Sequence, residues 1–344
     1  MSNSLAFIIK SATLEKYKNT INELIVVVFL LGIYNFSPYY SNFLDEKSKT
    51  ILSIIGISYL IFCWLKTFFT GNENHLKFYL LYEIGSNIFK KYFRKKSVSE
   101  IVNQKIIPDS KKNDLLFLFV KIFYIPVMLN FTVVNFDVLL RHYNNYSNYN
   151  LSDLNFFNWY GIIISLFFFI DTSYFLFGYL IESKKLGSKV RSVDKSIFSW
   201  IITLACYPPF NDVTSKVFPW VANENILLTS TLTNYFLLIA IIILFGIYLS
   251  ATISLGSKCS NLTNRGTVSR GPYKYVRHPA YASKILAWWM MTLPVMNLFV
   301  FFNMSMWTLI YIVRAIKEED HLLQDAQYQS YFQKTSFRFI PKII

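Results

Sequence analysis

Long apolar runs separated by short polar stretches organise this chain. They fall at 21–40, 51–70, 115–139, 155–181, 197–221 and 226–254, followed by a stretch at 282–313 that Pro294 and Asn297 divide into two shorter pieces. A helix needs about twenty residues to cross a hydrocarbon core about 30 Å thick. Lipid offers no partner for open backbone, so each run predicts a helical span. The expected fold is all-α: a polytopic transmembrane helical bundle of about six to eight spans, ending in a C-terminal helical hairpin. The run at 197–221 carries Pro208, Pro209, Asn211, Asp212 and Lys216, and it reads equally as a broken or re-entrant helix. Two regions are expected, 1–195 with basic loops and 196–344 as the C-terminal membrane core.

Composition agrees with this pattern. Of 344 residues, 53% are hydrophobic and 19% aromatic while only 16% are charged, and the mean hydropathy of +0.35 is that of a membrane protein. The net charge of +14 raises the question of nucleic acid. The basic residues, however, lie mainly in loops that flank apolar runs, where they set orientation and meet anionic headgroups. The loops 71–114, 182–195 and 256–281 are the basic ones, with Lys90-Lys91 and Arg94-Lys95-Lys96 in the first. They are expected on the cytoplasmic side together with the N-terminus, leaving 41–50, 140–153 and 211–225 outside. Cys63, Cys206 and Cys259 have neither paired spacing nor accompanying histidines, so a disulfide framework and a zinc site lack support. The first twenty residues contain Glu15, scattered lysines and no cleavage-like site, which makes the first run a retained span.

If 282–313 turns back at Pro294 to Asn297, two polar segments meet at one mouth. The first is GPYKYVRHPAY at 271–281; the second is Arg314-Ala-Ile-Lys-Glu318-Glu319-Asp320-His321-Leu322, followed by Tyr328, Tyr331 and FRFIP through Pro341. Arg314 and Glu318, four apart, share one face of a helix. Taken singly, each feature has an ordinary explanation: a surface salt bridge, an interfacial histidine, an aromatic belt.

Taken together, they resemble the isoprenylcysteine carboxyl methyltransferase and phospholipid methyltransferase superfamily, integral membrane enzymes that use S-adenosylmethionine. The resemblance covers about a quarter of the chain, 256–341, and rests on G-P-Y-x-Y-x-R-H-P-x-Y, an apolar hairpin, R-x-x-x-E-E-x-x-L, and a closing Y-x-x-Y and R-x-I-P. It implies a methyltransferase-like C-terminal core. It further implies that Arg265, Gly266, Thr267, Val268, Tyr273, His278, Pro279, Ala280, Tyr281 and Glu318 bind the cofactor, and that Arg314 faces the substrate. Two departures stand out: Ser283 and Lys284 where relatives often have Gly, and Asp325-Ala326 where a Gly often precedes the final tyrosines.

The implied roles suit the chemistry. A planar guanidinium recognises carboxylates, tyrosine faces stabilise a cation, and in-line methyl transfer requires alignment and exclusion of water. The acceptor, a lipophilic small molecule, lipid or lipidated partner, stays open among carboxylate, thiol and amine. For the first two, Arg314 orients or desolvates the nucleophile; for an amine, Glu319 or His278 becomes the catalytic base. A nicotinamide-dependent sterol-type reductase shares a similar Arg-His pattern, but the Glu318-Glu319 pair favours methyl transfer. A transporter would need polar groups at membrane depth, for which Asp171 is the candidate. Richness in Lys, Asn and Ile points to an AT-rich genome and a bacterial inner membrane in preference to the endoplasmic reticulum.

Overall fold

The computed structural model describes residues 2–70, 80–86, 111–146, 156–222 and 231–342. Most of the basic loop 71–114 and the second half of the neutral loop 140–153 therefore lie outside the described residues, while 140–146 continues a helix. Helix dominates throughout, and among the described residues five helices are long and apolar enough to cross a membrane. The expected polytopic helical bundle is what the chain forms. It divides into two compact units, Met1–Pro126 and Val127–Ile344.

The first unit holds α1 (Ser2–Phe36), α2 (Pro38–Phe43) and α3 (Glu46–Thr70). Ser37 ends α1 and caps α2, its hydroxyl accepting from the Tyr40 N–H, with Pro38 at the first helical position. Polar contacts join α1 and α3. Thr20 and Thr67 hydroxyls lie 2.8 Å apart, and Tyr59 donates to Glu23. Gly56 admits the Leu31 side chain so closely that a Cβ there would sit 2.8 Å from it. The first span read from the sequence, 21–40, thus breaks at Ser37, and its apolar helical part is the shorter Thr20–Phe36.

The long helix α4 (Lys112–Tyr146) carries Pro126, the residue at which the two units divide. The second unit continues with α5 (Phe156–Leu180), β1 (Ser192–Val193), α6 (Ile197–Leu204), α7 (Phe210–Val217) and α8 (Thr231–Leu255). After these come β2 (Thr263–Asn264), α9 (Pro279–Thr292), α10 (Leu298–Leu322) and α11 (Ala326–Lys334). The run at 197–221 is not one helix. Its two eight-residue pieces are each about 12 Å long at 1.5 Å per residue, and Pro208-Pro209, lacking two N–H donors, separates them.

The run 282–313 forms the expected hairpin. A 3₁₀ turn at Leu293–Val295 ends α9, and Asn297 caps α10, its Oδ1 accepting from the Val300 N–H at 2.9 Å. Trp289 Nε1 donates to Thr308 Oγ1 at 3.0 Å and ties the two arms together. Helix α10 runs on to Leu322, past the apolar stretch, and so carries Arg314, Glu318 and Glu319. Helix α8 packs against α5 and α9 around Tyr160, Ile164, Leu238, Ile241, Phe245, Ala287 and Met291.

Asp171 on α5 accepts from Tyr248 Oη and Thr252 Oγ1 of α8, each at 2.6 Å. It is a packing partner within the bundle, buried and satisfied. Below it, Gly178 lets the Cys259 carbonyl approach so closely that a Cβ would lie 2.0 Å from that oxygen. This contact draws the loop after α8 against α5. Two residues of antiparallel pairing, Ser192 with Asn264 and Val193 with Thr263, hold the same loop on its other side.

Candidate functional site

The loop after α8, the start of α9, the end of α10 and α11 enclose one cavity, with about 1120 Å³ of empty space when its open mouth is included. Of the residues that the motif resemblance singled out, Arg265, Gly266, Thr267, Val268, Tyr273, His278, Ala280, Tyr281, Arg314 and Glu318 line it. Pro279 does not; it is buried at the first turn of α9, where its fixed φ starts the helix.

Gly266 adopts φ +91, a backbone conformation that favours glycine, and the Arg191 guanidinium lies 2.8 Å from where a Cβ would be. The Gly266 N–H donates to Asn264 Oδ1 at 2.8 Å, and Lys258 Nζ donates to the Thr267 carbonyl at 3.3 Å. Arg265 is buried, and its Nη1 donates to the carbonyl of Ser188 at 3.1 Å and, at 3.4 Å each, to those of Ile181 and Ser257. Burial lowers the pKa of this guanidinium. Arg265 therefore staples two loops in addition to lining the cavity.

Arg314 is buried one turn before Glu318. Its Nη2 donates to Asn261 Oδ1 at 2.6 Å, and its guanidinium lies 5.5, 5.2 and 5.7 Å from the ring centres of Tyr207, Tyr281 and Tyr311. Among the described residues it makes no ion pair. Glu318 accepts from Tyr281 Oη at 2.8 Å and is otherwise exposed. The simple Arg314–Glu318 salt bridge, the ordinary explanation of such spacing, is not what the helix forms.

Glu319 is not a cavity residue. Its carboxylate turns to the other flank of α10, accepting from Arg277 Nε at 2.7 Å and from Arg338 Nε and Nη2 at 2.9 and 2.8 Å, with His278 Nε2 at 3.1 Å. Lone pairs committed to two guanidinium groups leave little basicity, so the base role read from the sequence does not suit its surroundings. Instead Glu319 joins the two motifs to the C-terminus. Arg277 Nη1 also donates to the Thr335 and Ser336 carbonyls, and the Arg277 and His278 amides donate to the Phe337 and Arg338 carbonyls. His278, the other candidate base, has its ring stacked on Tyr281 at 5.4 Å and turned to Glu319.

Tyr331 Oη donates to the Tyr273 carbonyl at 2.8 Å, closing the end of the cavity, and burial pushes its pKa up to about 12. The two departures from the usual motifs are both accommodated. Ser283 is buried and returns its hydroxyl to the Pro279 carbonyl at 2.7 Å. Asp325 caps α11, accepting from the Gln327 N–H at 2.8 Å.

Several wall residues have no mark in the sequence. Asn261 sits in a plain polar loop, Tyr207 in the broken run after α6, and Tyr248 and Tyr311 inside apolar helices. Lys284 lies over the Tyr248 and Trp288 rings at 5.3 and 5.1 Å. The only hint was its position directly after Ser283.

The helical bundle brings both C-terminal motifs to one cavity. The model of the isoprenylcysteine carboxyl methyltransferase (ICMT) family matches residues 227–325, from just before α8 to the cap of α11. The family resemblance of the C-terminal region is therefore shown, while the first unit lies outside the match. No curated protein matches the chain.

Proposed function

We propose that the protein transfers a methyl group from S-adenosylmethionine to an anionic group, carboxylate or thiolate, on a lipophilic acceptor at the membrane. The observation that carries this reading is the convergence of the two motifs on one cavity whose walls match the chemistry of that cofactor. Lys258 and Arg265 offer cationic donors, and the left-handed Gly266 lets backbone approach without a Cβ in the way. The Glu318 carboxylate, held by Tyr281, accepts from hydroxyls, and Tyr248, Tyr273 and Tyr328 supply aromatic surface suited to a cation and an adenine. S-adenosylmethionine, when bound, supplies an electrophilic methyl on a sulfonium.

Arg314 favours an anionic acceptor over an amine. Its hydrogen-bond partner is a neutral amide and its neighbours are neutral rings. A buried guanidinium in such surroundings gains most from a negative partner. A carboxylate or thiolate needs no base, which agrees with the committed lone pairs of Glu319. The acceptor's lipophilic body suits the aromatic cluster beside Arg314, where Trp220, Trp288 and Tyr311 follow one another with ring separations of 4.6 and 5.1 Å. The charge of the flanking loops supports a site that faces the cytoplasm, and the richness in Lys, Asn and Ile supports a bacterial inner membrane.

Calorimetric titration of the detergent-solubilised protein with S-adenosylmethionine and, separately, NADPH tests the cofactor. Binding of NADPH with no response to the sulfonium cofactor would sink the proposal in favour of a reductase. Methyl transfer to a long-chain carboxylic acid or thiol, and not to the matching amine, is the result expected for the acceptor.

A further inference from the structure

Arg191 belongs to neither motif and stands outside the cavity walls, yet it contacts the loop that forms one of them. Its guanidinium lies flat against Gly266, with Nη2, Cζ and Nε at 2.8, 3.0 and 3.3 Å from where a Cβ would be. Nη1 donates to Asp325 Oδ2 and to Gln327 Oε1, each at 2.8 Å, at the start of α11. The Arg191 N–H donates to the Asn264 carbonyl at 2.8 Å. Asn264 closes the circuit: its Nδ2 donates to the same Asp325 oxygen at 3.0 Å, and its Oδ1 accepts from the Gly266 N–H. Asp325 is thus both the cap of α11 and the common acceptor for two residues that hold Gly266. It is also the residue at which this sequence departs from the usual glycine.

We propose that Arg191 is a positioning residue that holds the Gly266–Val268 wall of the cavity in its binding conformation, with Asp325 as its anchor. The inference rests on the proposed cofactor role of that wall. A planar guanidinium does two things at once here that an ammonium cannot: it packs against a Cα lacking a side chain, and it forks to two acceptors on α11. Such groups behind a binding wall govern affinity without touching the ligand. Removing the half-exposed Arg191 side chain leaves the Asp325 carboxylate, 18% exposed, still accepting from Asn264 Nδ2 and the Gln327 N–H, so the fold is expected to survive.

The test compares wild type, Arg191→Ala and Arg191→Lys by calorimetry with S-adenosylmethionine and by amide hydrogen exchange of the peptide covering Gly266–Val268 without cofactor. Arg191→Ala is expected to bind the cofactor about three- to tenfold more weakly, the size expected when a half-exposed ion pair and its packing are removed together. The 266–268 amides should exchange faster, turnover at saturating cofactor should hold, and Arg191→Lys should recover only part of the loss. A purely structural role predicts a lower melting temperature with unchanged affinity and unchanged exchange at 266–268, and that result overturns the inference. If wild type itself fails to bind S-adenosylmethionine, the functional proposal falls. The exchange comparison then still decides whether Arg191 holds the loop.

Discussion

Arg314 and Asn261 share a 2.6 Å hydrogen bond that sets where the Arg314 guanidinium stands in the cavity. Asn261 is itself fixed on all sides: its backbone N–H and Nδ2 donate to Tyr179 Oη at 2.9 and 2.8 Å, and Nδ2 donates again to Tyr207 Oη at 3.1 Å. The loop after α8 and helices α5 and α10 thereby agree on one guanidinium position. If that position serves the acceptor, Arg314→Ala leaves cofactor affinity nearly intact while turnover falls, because only the contact with the reacting group is removed. Asn261→Ala should lower turnover in the same direction but less, since the tyrosine rings still surround the guanidinium. Initial rates with saturating cofactor measure both.

Glu318 should behave in the opposite way. Removing a charged acceptor from the cofactor wall is expected to cost about 1.5–3 kcal/mol of cofactor binding, read by calorimetry on Glu318→Ala. The melting temperature should stay close to wild type, because Glu318 is exposed and holds only Tyr281. Equal, stability-only losses for Glu318→Ala and Arg314→Ala would remove the pair from the active site.

Glu319→Gln is expected to destabilise rather than to disable. It breaks a buried carboxylate's pairing with Arg277 and Arg338, a change that typically costs about 3–5 kcal/mol. The melting temperature should drop strongly, and any enzyme that remains folded should keep its turnover per molecule. A variant that melts like wild type and is catalytically dead would restore Glu319 as a catalytic group.

The α11 cap carries a pH signature. Burial pulls the Asp325 carboxyl upward, but hydrogen bonds from Arg191, the Gln327 N–H and Asn264 outweigh it and hold the pKa below the usual carboxylate range. A depressed folded value contributes stability that is present above the unfolded value, about 3.9, and is lost as pH falls through the folded one. Wild type should therefore melt above Asp325→Asn at neutral pH, and the gap should close only as the solution is acidified below about pH 4. A gap that persists unchanged in acid would assign the effect to packing instead.

Both motifs must open to one side of the membrane. Lys274 ends the 3₁₀ turn of the first and Lys334 ends α11. Cysteines placed at these two positions should react with a membrane-impermeant reagent from the same side, and labelling from opposite sides would contradict a shared site.

How much was legible in advance follows from the range of each interaction. Hydrocarbon thickness acts on consecutive residues, so the apolar runs by themselves determined the helical spans, and Pro294 with Asn297 marked the hairpin because a missing donor and a capping amide act within a turn. The motif residues were legible as a group through the resemblance of the two C-terminal motifs, which implied roles for Gly266 and Arg314 together. Pro208 and Pro209 marked the run at 197–221 as a broken helix, but local pattern could not say where its two eight-residue pieces begin and end. Spacing placed Glu318 on the face of Arg314 but could not say where Glu319 turns. Neighbours on a helix point about 100° apart, and only the packing of the C-terminal segment against α10 decided which carboxylate faces the cavity and which is spent on Arg277 and Arg338. Asn261, Tyr207 and Arg191 were silent for the same reason: their partners lie 53, 54 and 134 residues away in the chain, and only folding brings them together.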